Sequence, residues 1–160
     1  MIAKAIVDED FTNYRHPSML IVCSQCSFKC CRENNLPTAT CQNYGLHTLP
    51  TQTFTDETIY QQYINNPITK ALVFGGLEPF DTFESMYQLI KYFRDHGCND
   101  PAIIYTGYTK EEISENCLKL MTLPFIICKF GRYLPNQTPH YDDVLGVTLA
   151  SDNQYAKYIS

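Results

Sequence analysis

The chain has 160 residues, of which 17 are acidic and 12 basic, for a net charge of −5. That length suits one domain, residues 1–160, with a core of its own, and the interspersed charges form no basic stripe that would hold nucleic acid. No apolar run approaches the ~20 residues of a membrane-spanning helix, and the N-terminus has no secretory h-region, so a cytoplasmic chain with reduced thiols is expected.

Ile2–Val7 alternates weakly and reads as an edge strand, and polar Asp8–Pro17 reads as a loop. Ser18–Cys23 is a short apolar run and reads as a buried strand. It empties into a cysteine-dense loop that continues to about Thr53, where Pro37 and Pro50 oppose long helices. Thr55, followed by Asp56 and Glu57, predicts a capped helix with Ile59, Tyr60, Tyr63 and Ile64 on one stripe. Lys70–Phe74 reads as a buried strand ending at Gly75-Gly76. Asp81 and Glu84 have capping-box spacing, and Phe83, Tyr87, Ile90 and Phe93 share a helical face that stops at Gly97. Ala102–Thr106 reads as a strand. Thr109 and Glu112 box the start of a helix with Ile113, Cys117 and Leu120 inward, and Phe125–Phe130 is a further strand. Val147–Ala150 and Tyr155–Ile159 read as short terminal strands.

Strands alternating with helices at crossover spacing predict an α/β domain with a mostly parallel sheet. Loops at the carboxyl ends of such strands carry chemistry. The cysteine loop, Gly75-Gly76 and Tyr105-Thr106-Gly107-Tyr108 all follow predicted strands and should meet at one sheet edge.

Five of the eight cysteines, Cys23, Cys26, Cys30, Cys31 and Cys41, lie in Val22–Asn43. In a reducing compartment that density indicates metal or redox chemistry rather than disulfides. Thiolates hold iron–sulfur clusters, and the three residues between Cys26 and Cys30 let one loop wrap a cluster. Cys23-x-x-Cys26 equally has the spacing of a structural zinc site, which Cys30, Cys31, Cys41 or His47 would complete. The glycines at 75 and 76 allow close backbone approach to a ligand, with Glu78 nearby for a cationic group, although glycine at a strand exit is also an ordinary turn. Asn153-Gln154 reads as part of an edge strand. Cys98, Cys117 and Cys128 read as small buried apolar residues.

Taken in order, Cys26-Ser-Phe-Lys-Cys30, Cys41-Gln-Asn43, Gly75-Gly-Leu-Glu-Pro79, Tyr105-Thr-Gly-Tyr108, Phe130-Gly-Arg132 and Ala150-Ser-Asp-Asn-Gln154 span nearly the whole chain. The series resembles the radical S-adenosylmethionine family, and within it the activating proteins of anaerobic ribonucleotide reductase. Two departures stand out. Ten residues separate Cys30 from Cys41 where the family has two, and Leu77 is inserted between Gly76 and Glu78. The Cys-x-Asn ending at Cys41 makes Cys26, Cys30 and Cys41 the metal ligands that the resemblance implies, with Cys23 or Cys31 as alternatives to Cys41.

The resemblance further implies a partial (βα) barrel, a 4Fe-4S cluster, and S-adenosylmethionine bound beside Gly75, Gly76, Glu78, Tyr105 and Asn43. It also implies a flavodoxin- or ferredoxin-like electron donor. The activity expected is generation of a glycyl radical on the anaerobic (class III) reductase. The alternatives are activation of another glycyl-radical enzyme, or a non-catalytic Fe–S or zinc module.

Overall fold

The computed structural model describes residues 1–160. Its elements, in chain order, are strand β1 (Ile2–Asp10), strand β2 (Ser18–Cys23), helices α1 (Lys29–Glu33) and α2 (Tyr44–Thr48), strand β3 (Gln52–Thr53) and helix α3 (Asp56–Ile64). There follow β4 (Leu72–Gly75), α4 (Phe83–Asp95), β5 (Ala102–Tyr105), α5 (Ser114–Leu120), β6 (Ile126–Phe130), β7 (His140–Asp142), β8 (Val147–Leu149) and β9 (Tyr155–Tyr158). Seven strands form one sheet in the order β3-β1-β2-β4-β5-β6-β9, and β7 and β8 form a separate hairpin. The central strands β2, β4, β5 and β6 are parallel, while β1 and β9 run antiparallel outside them.

Strand residues divide by parity, because successive side chains leave opposite faces of a sheet. Met19, Ile21, Leu72, Phe74, Ala102, Ile104, Ile126 and Cys128 meet Ile59 and Tyr63 of α3, Met86, Leu89, Ile90 and Phe93 of α4, and Cys117 and Leu120 of α5. Val73, Ile103, Ile127 and Ala156 face the other way, onto Tyr14, Leu145 and Leu149. Helices therefore cover one face, and the 10–17 segment with the β7–β8 hairpin covers the other. Each large apolar side chain fully buried in this way contributes about 1.5–3 kcal/mol relative to exposure.

Local signals form as chemistry dictates. The Thr55 hydroxyl accepts the Thr58 N–H at 3.0 Å and caps α3. Thr109 and Glu112 make both bonds of their box, at 2.8 and 3.4 Å, but in the turn before α5, which begins at Ser114 with no side-chain cap. Gly97, at φ +81°, ends α4 with the Gly97 N–H on the Arg94 carbonyl at 3.0 Å.

Three expectations are corrected. β1 is not an edge strand, since β3 pairs outside it, and it runs on to Asp10 into the expected loop. Asp81 caps nothing. It sits inside a 3-10 turn, Pro79–Thr82, that precedes α4, and its carboxylate is taken by distant partners. The short strand expected at Val147–Ala150 forms as Val147–Leu149 and pairs with β7. Asn153-Gln154 is a turn before β9, not strand.

Candidate metal centre

The parallel strands deliver the loops after β2, β4, β5 and β6 to one edge, and hydrogen bonds tie these loops together. Glu78 is the hub. Its N–H donates to the Gln25 carbonyl at 3.0 Å. Its Oε1 accepts the Thr106 hydroxyl at 2.7 Å and the Phe80 N–H at 3.2 Å, and its Oε2 accepts the Gly107 N–H at 2.9 Å. Burial outweighs these donors and pushes the Glu78 carboxyl up to about 7. The inserted Leu77 is absorbed by turning it inward: its side chain is buried in the helix-face core and its N–H donates to the Gly75 carbonyl at 2.8 Å.

Gly76 adopts φ +71°, which favours glycine, and a β-carbon there would meet Val22 Cγ1 and Leu46 Cδ1 at 3.0 Å. The space it leaves is thus filled by α2, the helix that follows Cys41-Gln42-Asn43. A β-carbon on Gly75 would meet Tyr105 Cβ at 3.3 Å. The Tyr105 side chain lies on the sheet face away from the helices, and its hydroxyl donates to the Asn13 carbonyl at 2.5 Å. Asn43 stands at the start of α2 without a side-chain capping bond.

All eight cysteines are free thiols. Cys26, Cys30 and Cys41 are part-exposed, whereas Cys31 is buried. The Cys26 sulfur accepts the Phe28 N–H at 3.3 Å. Burial is the first cause that pushes Cys26 and Cys30 up to about 11, and mutual charge adds to it: Cys26 feels Cys30, and Cys30 feels Cys31 and Cys41. Cys30 is therefore the centre of the thiol group. Cys23 lies elsewhere, fully buried in the helix-face core, and burial pushes its thiol far up. No three or more Cys, His, Asp or Glu side chains are grouped as a site for a metal ion.

A narrow cleft is lined by Cys26, Cys30, Glu78, Gly107, Tyr108 and Arg132, among others. Ion pairs close its rim. Arg132 pairs with Glu33 at 2.9 Å and Glu112 at 2.7 Å, and Lys29 pairs with the same two carboxylates. The Arg132 hydrogen bond is the first cause holding the Glu112 carboxyl down to about 2. α1, the 109–112 box and the end of β6 are thus strapped together.

The donor set fits an iron–sulfur cluster. Two free thiols, Cys26 and Cys30, line the cleft, an N–H already points at one sulfur, and binding iron would release the protons that burial holds on them. The Ser24 hydroxyl, two residues before Cys26, is buried without a partner.

Sequence reasoning missed Lys129. It is buried at the end of β6, donates to the Gly131 carbonyl at 2.8 Å, and burial brings its ammonium down to about 8, with Glu78 opposing. Its only sequence signal is a lone cation inside an apolar strand. Asn153 and Gln154 act through backbone contacts, donating to the carbonyls of Arg132 at 2.9 Å and Gly131 at 3.2 Å.

No helix is long and apolar enough to cross a membrane. No curated protein and no solved structure matches the chain. The sequence pattern that defines the 4Fe-4S single cluster domain matches residues 17–143, well over half of the chain and inclusive of the thiol loop and the ends of β2, β4, β5 and β6. With that match on a loop of free thiols at the carboxyl edge of four parallel strands, the chain belongs to the 4Fe-4S single cluster domain family.

Proposed function

We propose that this member of the family is a radical S-adenosylmethionine activase that generates a glycyl radical on anaerobic ribonucleotide reductase. One observation carries the reading. The thiol loop, the Gly75–Pro79 turn and Tyr105–Tyr108 meet at the same edge of the sheet, joined through Glu78. Cys26, Cys30 and Cys41 would hold three irons of the 4Fe-4S cluster, leaving the fourth for the amino and carboxylate groups of S-adenosylmethionine. Given one electron by a flavodoxin- or ferredoxin-like donor, the bound cluster would supply reductive cleavage of the sulfonium C–S bond, and the 5′-deoxyadenosyl radical released would take hydrogen from a glycine of the partner.

The chain's residues orient and shield. Glu78 spends its carboxylate on Thr106, Gly107 and Phe80, so its part is to fix the loops. Buried Phe28 and half-buried Leu46 flank the thiol loop and keep water from it. The reading also takes the sheet as a partial (βα) barrel, supported by four parallel strands with helices on one face only.

The test is anaerobic reconstitution with iron and sulfide, followed by reduction with S-adenosylmethionine and the anaerobic reductase. 5′-Deoxyadenosine, methionine and a glycyl paramagnetic signal on the reductase are expected. Cys41→Ala should lose iron and turnover, and Cys31→Ala should keep both. Cleavage without a glycyl signal would overturn the partner, and a colourless protein holding one zinc would overturn the chemistry.

A further inference from the structure

Asp81 stands where a helix cap is expected, yet its carboxylate reaches across to the thiol loop. Oδ2 accepts the Ser27 N–H at 2.5 Å and Oδ1 accepts the Tyr108 hydroxyl at 2.7 Å. The Tyr108 oxygen is also 3.3 Å from Ser27 Oγ. Ser27 directly follows Cys26, and Ser27, Tyr108, Cys26 and Cys30 line the same cleft. A single side chain thus fixes the loop backbone between two thiols and orients the ring that walls them.

Two physical consequences follow for any cluster held there. With its N–H pinned to Asp81, Ser27 is not a donor to the Cys26 sulfur, which keeps only the Phe28 N–H. Hydrogen bonds to cluster sulfurs and nearby charge both tune reduction potential. The second consequence is electrostatic. Both partners of Asp81 are neutral, and the nearby cations, Lys29 and Arg132, are paired with Glu33 and Glu112 instead. Its negative charge is therefore left uncompensated beside the thiol loop, on the backbone of the residue that follows Cys26. A fixed negative charge that close disfavours an added electron on iron bound by the loop.

We propose that Asp81 is a positioning residue for the cluster, holding the Cys26–Cys30 loop through Ser27 and lowering the reduction potential of iron bound by Cys26 and Cys30. Tyr108 tempers that effect by donating to the carboxylate. A low potential suits an electron transfer that must break a carbon–sulfur bond. The inference rests on Cys26 and Cys30 as iron ligands and is independent of the partner on which a radical is made.

The experiment is a mediated dithionite titration of the reconstituted full chain, followed by paramagnetic resonance, with iron content measured first. Asp81→Asn keeps an acceptor for Ser27 and a donor for the Tyr108 oxygen but removes the charge. Its iron content should stay and its potential should shift upward. Tyr108→Phe leaves the charge less compensated, and its potential should shift downward. Opposite shifts are the signature, since mere loosening of the loop would move both variants alike. Unmoved potentials, or shifts of one sign, overturn the proposal. If Asp81→Asn holds no iron, Tyr108→Phe decides: a downward shift supports it and any other result overturns it. Failure of the unmutated chain to take up iron overturns the ligand assignment itself, a result distinct from missing radical transfer.

Discussion

At the residue scale, Glu78 shows how one buried carboxylate couples the site to the fold. Unfolded, a glutamate titrates near about 4.3, whereas in place its carboxyl is pushed up to about 7. The folded state therefore binds the extra proton between those values. Its contribution to stability is fully present below about pH 4 and is lost as pH rises through about 7. The difference corresponds to about 4 kcal/mol. Urea unfolding of the metal-free chain between about pH 5 and pH 8 should show that loss, and Glu78→Gln should flatten the profile. Parallel profiles for the two proteins would mean that Glu78 stays ionised in the fold. Gln cannot offer an acceptor on both sides, so the variant should also sit lower than the native chain at about pH 5 by about 1–3 kcal/mol, the cost of an orphaned Gly107 N–H.

At the element scale, α2 packs against the turn after β4 because Gly76 makes room for Leu46. A methyl group at Gly76 would strain a φ of +71° and press on Leu46 and Val22 at 3.0 Å. Gly76→Ala should cost about 1–2 kcal/mol for the backbone alone and reduce iron uptake by displacing α2. Gly45→Ala is the control, since a β-carbon there meets nothing within 4 Å, and it should be neutral or stabilising. Equal unfolding midpoints for the two variants would remove Gly76 from the account. The elements that were legible in the sequence are those whose cause is local. β2 is an apolar run, Thr55 caps its own helix, and Thr109 and Glu112 bond each other. Asp81 was read wrongly because Glu84 has box spacing, while its actual partners lie 54 and 27 residues away. Glu78 was visible as a carboxylate at a strand end, but its commitment to Thr106 and Gly107 depends on strand order. β7 is three residues of His-Tyr-Asp with no apolar period, so nothing in it signals a strand.

At the scale of the whole molecule, two different devices cover the two faces of the sheet. Three helices seal one face with a core of 22 buried residues. The other face has a core of only 8 buried residues, and the β7–β8 hairpin closes it. That hairpin is fastened by Asp142, a buried carboxylate that accepts the Leu145 N–H and the Ala156 N–H, each at 2.9 Å. Ala156 belongs to β9, so one side chain bolts the hairpin to the edge of the main sheet. Arg15 holds the other side, its N–H on the Leu145 carbonyl at 2.8 Å and its guanidinium on the carbonyls of Asp143 and Val144. Asp142→Ala would orphan two buried N–H groups at about 1–3 kcal/mol each. The loss should fall on one face. Hydrogen exchange is expected to quicken in β9 and in the 140–149 hairpin while α4 and β4 stay protected, and the urea midpoint should fall. Iron uptake should persist, because Cys26 packs against the helix-face core rather than the hairpin. Uniform quickening across both faces would instead mean that the two cores unfold as one unit, and that the thiol loop depends on the hairpin as much as on the helices.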